Sequence, residues 1–173
     1  MRAEAMYGHR PPARRPMAHP ALLYEPLNDG KVRCTACARY CVIPPGSHGF
    51  CFVRKNVDGR LELLSYGRVA AMQVDPVEKK PLSHFHPGSR VFSIGTVGCN
   101  WRCLYCQNAE ISQEHEVSGQ RLSAAQAVDL ARRFDCQGMT FTYNEPTIFI
   151  EYALDVIEAA HAAGLFANFV TNG

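Results

Sequence analysis

Cys99, Cys103 and Cys106 place three thiols within eight residues, at C-x3-C-x2-C spacing, on the stretch Gly98-Cys99-Asn100-Trp101-Arg102-Cys103-Leu104-Tyr105-Cys106. Thiolates are the usual iron ligands of iron–sulfur clusters, and three so close can hold three corners of one cubane [4Fe-4S] cluster. No fourth cysteine lies near enough in sequence to close the set. One iron is then left with an open position, which is where a metal does chemistry. A disulfide use requires an oxidising compartment, and nothing here signals secretion. Three thiolates with a distant histidine can also hold zinc. Tyr105, just before the third cysteine, suits the cluster better, because an aromatic there shields it and packs on a flat ligand such as adenine.

A second constellation lies upstream: Cys34, Cys37, Cys41 and Cys51, spaced C-x2-C-x3-C-x9-C. Pro44-Pro45-Gly46 and Gly49 supply the turns that bring Cys51 back. Four thiolates suit tetrahedral zinc and equally suit a closed four-iron cluster, so both remain open. Seven of the eight cysteines thus fall into two tight groups, a pattern that points to metal in a reducing compartment. The leftover Cys136 reads as a small buried side chain.

The elements that must position these thiols follow from pattern. Val91-Phe92-Ser93-Ile94-Gly95 reads as a strand leading directly into the cysteine loop. Residues 110–120 are polar and read as irregular. Ser123-Ala124-Ala125-Gln126 is a capping box opening a helix from Ala124 to Phe134. Met139 to Tyr143 is a second strand, ended by Asn144-Glu145-Pro146. A long helix follows, with Phe149, Tyr152, Ala153, Val156, Ile157 and Ala160 as its apolar stripe and Glu151, Asp155 and Glu158 on another face. Gly164 stops it, and Leu165 to Val170 is the third strand, ending in Thr171-Asn172. Strands alternating with helices predict an α/β fold with a parallel sheet, in which ligands bind at the strands' C-terminal ends. All the informative polar residues therefore gather on one face: the cysteine loop, Tyr143-Asn144-Glu145, and Thr171-Asn172.

Upstream, Asn28-Asp29-Gly30 and Asn56-Val57-Asp58-Gly59-Arg60 are hairpin turns between short strands, so residues 21–88 read as a small β-rich, metal-stapled module with its linker. Val74-Asp75-Pro76-Val77-Glu78-Lys79-Lys80-Pro81-Leu82 reads on pattern as a solvated, extended linker into residues 89–173. Residues 1–20 are Arg- and Pro-rich without apolar period and read as a disordered extension.

Net charge is +2 overall; residues 1–20 hold four arginines and one acid, leaving −1 for residues 21–173. That balance makes no electrostatic claim on nucleic acid or anionic membrane. No run of about 18 apolar residues predicts a transmembrane helix. The N-terminus lacks the apolar core of a secretory signal, so the cytoplasm is the expected location.

C-x3-C-x-aromatic-C on the loop after a first barrel strand resembles the radical S-adenosylmethionine (SAM) superfamily. SIGTVGCNWRCLYCQNAEISQ, with VDPVEKKPLSHFHPGS before it and TYNEPTIF after it, resembles one branch closely: the AmmeMemoRadiSam system radical SAM enzymes, relatives of the pyruvate formate-lyase activating enzymes. The resemblance spans roughly residues 21–173, and because it includes VDPVEKKPLSHFHPGS it implies a role near the active site for Glu78, Lys79 and Lys80. It implies a partial (β/α)6 TIM-like barrel, here stopping after the third strand, and predicts that this polypeptide made alone lacks turnover. It implies a [4Fe-4S] cluster on Cys99, Cys103 and Cys106, and SAM on the open iron. Glu145 matches the acid of a Gly-Gly-Glu-type motif that holds the SAM ammonium, although Tyr143-Asn144 replaces the glycines. Asn144, Tyr105, Thr171 and Asn172 are further SAM contacts on this reading. The reaction implied is reductive cleavage of SAM to a 5′-deoxyadenosyl radical, with a flavodoxin- or ferredoxin-type electron donor and a protein as a candidate substrate. The competing readings are a non-catalytic iron–sulfur electron-transfer protein and a zinc-ribbon binding module.

Overall fold

The structure is a computed structural model that describes residues 18–172. The expected N-terminal extension lies outside the described residues up to position 17, and its last residues are ordered: β1 (His19–Pro20) pairs with a later strand of the module.

The module holds two three-stranded antiparallel sheets. In the first, β2 (Tyr24–Pro26), β3 (Val32–Cys34) and β4 (Val42–Ile43) follow chain order. Asp29 and Gly30, at φ 58° and 68°, make the turn that Asp-Gly predicts. The second sheet is β5 (Arg54–Val57) and β6 (Arg60–Leu63) with β1 at its edge, in the order β1-β6-β5. Asp58 and Gly59 turn at positive φ, and Asn56 Oδ1 accepts the Gly59 amide at 2.9 Å. The strand leading into this turn begins only at Arg54, because Phe52 takes φ 63° and breaks the extended run.

Residues 74–82 depart from the linker reading. β7 (Arg68–Val69) leads to β8 (Ala71–Pro76), which pairs antiparallel with β9 (Arg90–Gly95) over six residue pairs. The boundary expected at residue 88 therefore falls between two strands of one sheet. Covering the flank of β9 with β8 satisfies backbone groups that a bare edge would expose. Residues 110–120 are likewise less irregular than expected: α1 (Ala109–Ser112) is one turn, and β10 (Gln120–Arg121) pairs with β7.

The cap expected at Ser123 is present, its hydroxyl accepting Gln126 N, and opens α2 (Ala124–Arg133). β11 (Gly138–Phe141) follows; Tyr143 lies beyond it at φ 71°. Pro146–Phe149 is a 3-10 turn before α3 (Ile150–Ala162), so the long helix starts later than its proline suggests. β12 (Phe166–Phe169) completes a four-stranded mixed sheet, β12-β11-β9-β8, in which β9, β11 and β12 run parallel.

Alternation along the strands gives the sheet two faces. Phe92, Ile94, Met139 and Phe141 are buried in one core cluster with Val128 and Ala131 of α2 and Tyr152 and Val156 of α3. Cys136 joins that core as a small buried side chain, as expected. Glu151 does not face solvent: it is 2% exposed and ion-paired with Arg54 of the upstream module. The arrangement is mixed α/β with open sheets.

Candidate functional site

β9, β11 and β12 end side by side, and their C-terminal extensions interlock around the cysteine loop. Asn144, 6% exposed, donates through Nδ2 to Gly98 O at 2.8 Å and Thr96 Oγ1 at 3.1 Å, while its Oδ1 accepts Thr96 N at 3.2 Å. A side-chain amide so saturated by backbone fixes where the loop departs from β9. Asn172 exchanges amide hydrogen bonds with Asn100, at 2.9 and 3.2 Å. Glu145 bridges the second and third strand ends. Its carboxylate accepts Thr147 N at 3.1 Å, Thr171 Oγ1 at 2.7 Å and Asn172 N at 2.8 Å. Four of the five expected SAM-contacting residues are therefore gathered beside the loop. The fifth, Tyr105, stands on its outer tip with Leu104, 90% and 103% exposed.

The upstream cysteine module forms the loop's other wall. Gly98 has φ +83°, and a Cβ there would lie 2.4 Å from the carbonyl oxygen of Cys51. Arg102 Nη2 donates to Phe50 O at 3.2 Å, and Arg39 Nε donates to Asn100 O. Both guanidinium groups lie over the Phe50 ring, 3.5 Å and 4.7 Å from its centroid. The sequence marks Gly98 only as a turn residue, and no local signal marks Arg39, Phe50 or Arg102 as partners. Gly98→Ala is expected to lower stability by at least about 2 kcal/mol, from the left-handed backbone penalty plus the clash with Cys51. A shift in urea midpoint at unchanged slope measures it.

Residues 93–173 match the Radical SAM superfamily. The matched segment begins inside β9 and contains the cysteine loop and all three strand ends. The chain is also 43% identical over 155 residues, 88% of its length, to an uncharacterized protein of Methanocaldococcus jannaschii. It spans 46% of that relative's length. No solved structure matches it. No helix among the described residues is long and apolar enough to cross a membrane.

Cys99, Cys103 and Cys106 of the loop are free thiols. Cys99 is tucked in with Sγ 3.6 Å from Asn100 Oδ1, Cys106 Sγ lies 3.2 Å from Ser112 Oγ, and Cys103 is half-buried. Among the described residues no three His, Cys, Asp or Glu side chains stand together closely enough to hold a metal ion. The loop fits a three-thiolate cluster in donor type and in its place at the strand ends, with Cys99 buried and Cys103 and Cys106 half-buried. Holding one metal centre would require the three sulfurs to draw together, as is usual where a site forms with its metal.

In the second set, burial pushes the Cys34 thiol up, opposed by Arg54. Burial likewise pushes Cys51 up to about 11. Both stay protonated at neutral pH until a metal displaces the proton. Arg54 Nη1 is buried with no hydrogen-bond partner. Arg54, whose charge opposes that rise at both thiols, would suit an anionic metal–thiolate centre at Cys34, Cys37, Cys41 and Cys51.

The segment read as a solvated linker carries the densest charge cluster beside the sheet. Asp75, 3% exposed, accepts Lys79 Nζ at 2.8 Å, Lys80 Nζ at 2.7 Å and Ser93 Oγ at 2.9 Å. Burial alone would raise the Asp75 carboxyl, but these donors outweigh it and hold it at about 2, below the ordinary 3.8. A depressed carboxyl contributes stability above its unfolded pKa and loses it as pH falls through the folded one. Urea midpoints should therefore fall between about pH 4 and about pH 2 by more in the wild type than in Asp75→Asn.

Proposed function

We propose that this chain carries the cluster-binding part of a radical SAM enzyme, with Cys99, Cys103 and Cys106 as ligands to three irons of a [4Fe-4S] cluster whose fourth iron is open to SAM. The observation that supports this reading best is the convergence of Asn144, Glu145, Thr171 and Asn172 from neighbouring strand ends onto a loop bearing three free thiols. Such a cluster supplies the electron that cleaves SAM reductively to methionine and a 5′-deoxyadenosyl radical, which takes hydrogen from a substrate.

The chain's own residues bind and orient. Asn144 anchors the start of the loop through Gly98, so its direction is set before any ligand arrives. Glu145, which now accepts from Thr147, Thr171 and Asn172, would supply the acid for the SAM ammonium. Thr171 and Asn172 would lie against its methionyl or ribose part. Tyr105, exposed at the loop tip, would pack on the adenine and exclude water.

The wider reading is an activating-enzyme-like oxidoreductase of the AmmeMemoRadiSam branch. Its strands belong to a partial (β/α)6 barrel, it works in the cytoplasm with a flavodoxin- or ferredoxin-type donor, and it acts on a partner protein. The Cys34, Cys37, Cys41 and Cys51 set holds zinc or a second cluster beside Arg54.

The test is anaerobic reconstitution of the full-length protein with iron and sulfide, followed by electron paramagnetic resonance with and without SAM. The expected result is a reduced-cluster signal that moves when SAM is added. A signal indifferent to SAM would make this an electron-transfer protein. Zinc alone at Cys99, Cys103 and Cys106 would make it a structural metalloprotein.

A further inference from the structure

On the sheet face opposite the helices, Gln73, Ser93, Thr140 and Asn168 stand in register and form one polar row across all four strands. Thr140 Oγ1 donates to Asn168 Oδ1 at 2.5 Å, while Asn168 Nδ2 is buried without a partner. Buried polar groups are normally bonded, and one left over inside a polar surface points to a ligand. Towards β8 the row runs into the Asp75 cluster through Ser93.

That cluster does not balance. One carboxylate faces two ammonium groups, so it carries one positive charge in excess. The Lys80 side chain is enclosed at 5% exposure, whereas that of Lys79 is 63% exposed, so Lys79 presents the surplus. It does so in the wall of a cavity of about 670 Å³, shared with Gln73, Tyr143, Gln107 and Asn108. Gln107 and Asn108 directly follow Cys106, so this space adjoins the cysteine loop. Its volume is that of small-molecule sites. Tyr143, held at φ 71°, packs against the same cluster, its ring 5.3 Å from Lys80 Nζ. Non-glycine residues at such angles gather at ligand sites. The other charged lining residue, Glu110, stands on α1 and repels an anion from that wall.

We propose that this cavity binds an anionic group, carboxylate or phosphate, of the substrate, with Lys79 as the anchoring cation and Gln73, Asn108 and Tyr143 as the polar lining beside it. The inference rests on the radical SAM reading for calling that ligand a substrate. The segment 74–82 is then the substrate-facing wall of the sheet, and Asp75 with Lys80 is the positioning pair that aims Lys79.

The test uses metal-free full-length protein carrying 13C at lysine Cε, titrated separately with inorganic phosphate and with acetate against chloride at constant ionic strength. The Lys79 resonance, assigned by its loss in Lys79→Ala, is expected to shift saturably while Lys31 and Lys55 do not. Whichever anion saturates at lower concentration identifies the group. Lys79→Ala should weaken binding roughly tenfold or more, read at the Tyr143 ring signal, and Lys79→Arg should restore most of it. A Lys79 shift that stays linear, or that matches Lys31 and Lys55, overturns the proposal, as does unchanged binding in Lys79→Ala. Because this readout needs no cluster, it fails or succeeds independently of the SAM-dependent signal.

Discussion

Alanine at Cys103 is expected to abolish the SAM-dependent change in the resonance of the reconstituted protein while leaving the fold intact. Cys103 is half-buried on an exposed loop and belongs to neither core cluster, so its thiol contributes little packing. Substitutions at such positions change stability by about 0.5 kcal/mol or less. As one of only three cysteines on its loop, however, it has no neighbour to replace it as a ligand. Loss of one ligand to a cluster already short of a fourth thiolate should lower bound iron sharply and erase the SAM-dependent resonance shift. Urea unfolding of the metal-free protein, by contrast, should match the wild type. Cys51→Ala makes the useful contrast, because Cys51 is 8% exposed within the main core and its loss creates a cavity there. A Cys103→Ala protein that still shows the SAM-dependent shift would remove this residue from the cluster.

The second large effect is on stability. Glu151→Ala is expected to destabilise the chain by about 3–5 kcal/mol, the loss seen when one partner of a buried ion pair is removed. Arg54 Nη2 and Glu151 Oε2 are 2.6 Å apart with both side chains 1% exposed. Arg54 Nε also donates to Ile148 O at 2.9 Å, and Glu151 Oε1 accepts the Leu22 amide at 2.8 Å. The pair thus ties the β-rich module to the start of α3 across 97 positions of sequence. Without Glu151 the guanidinium stays buried with a second unfilled donor, beside Nη1, which already lacks one. Raising salt should change the loss little, since a pair this enclosed is poorly screened. The double replacement Arg54→Met with Glu151→Leu should recover most of the stability, because apolar groups of similar volume remove both desolvation penalties together. A single-variant loss below about 1 kcal/mol would mean the pair is solvated, as exposed pairs of that strength are.

Local chemistry was legible in the residues where the pattern is short-ranged. Ser123 and Gln126 sit three apart, and their reciprocal cap depends on nothing distant. Asp29-Gly30 and Asp58-Gly59 turn because those residues tolerate positive φ. Asn144, Glu145, Thr171 and Asn172 could be placed near the cysteines because parallel strands put all their C-terminal ends on one side. Segment 74–82 was misleading for the same reason that these succeeded. Its charges and prolines describe a solvated linker locally, and only pairing with β9 makes Ala71–Pro76 a strand and buries Asp75 and Lys80.

Sequence alone determined the three-thiol loop, its strand and the helices α2 and α3, since each is written in spacing that a chain carries with it. The tertiary structure decided which wall the loop leans on, that Glu151 is a buried counter-ion, and that Lys79 faces a cavity. Those outcomes depend on contacts between segments far apart in the chain, where desolvation and charge pairing are settled only once the surfaces meet.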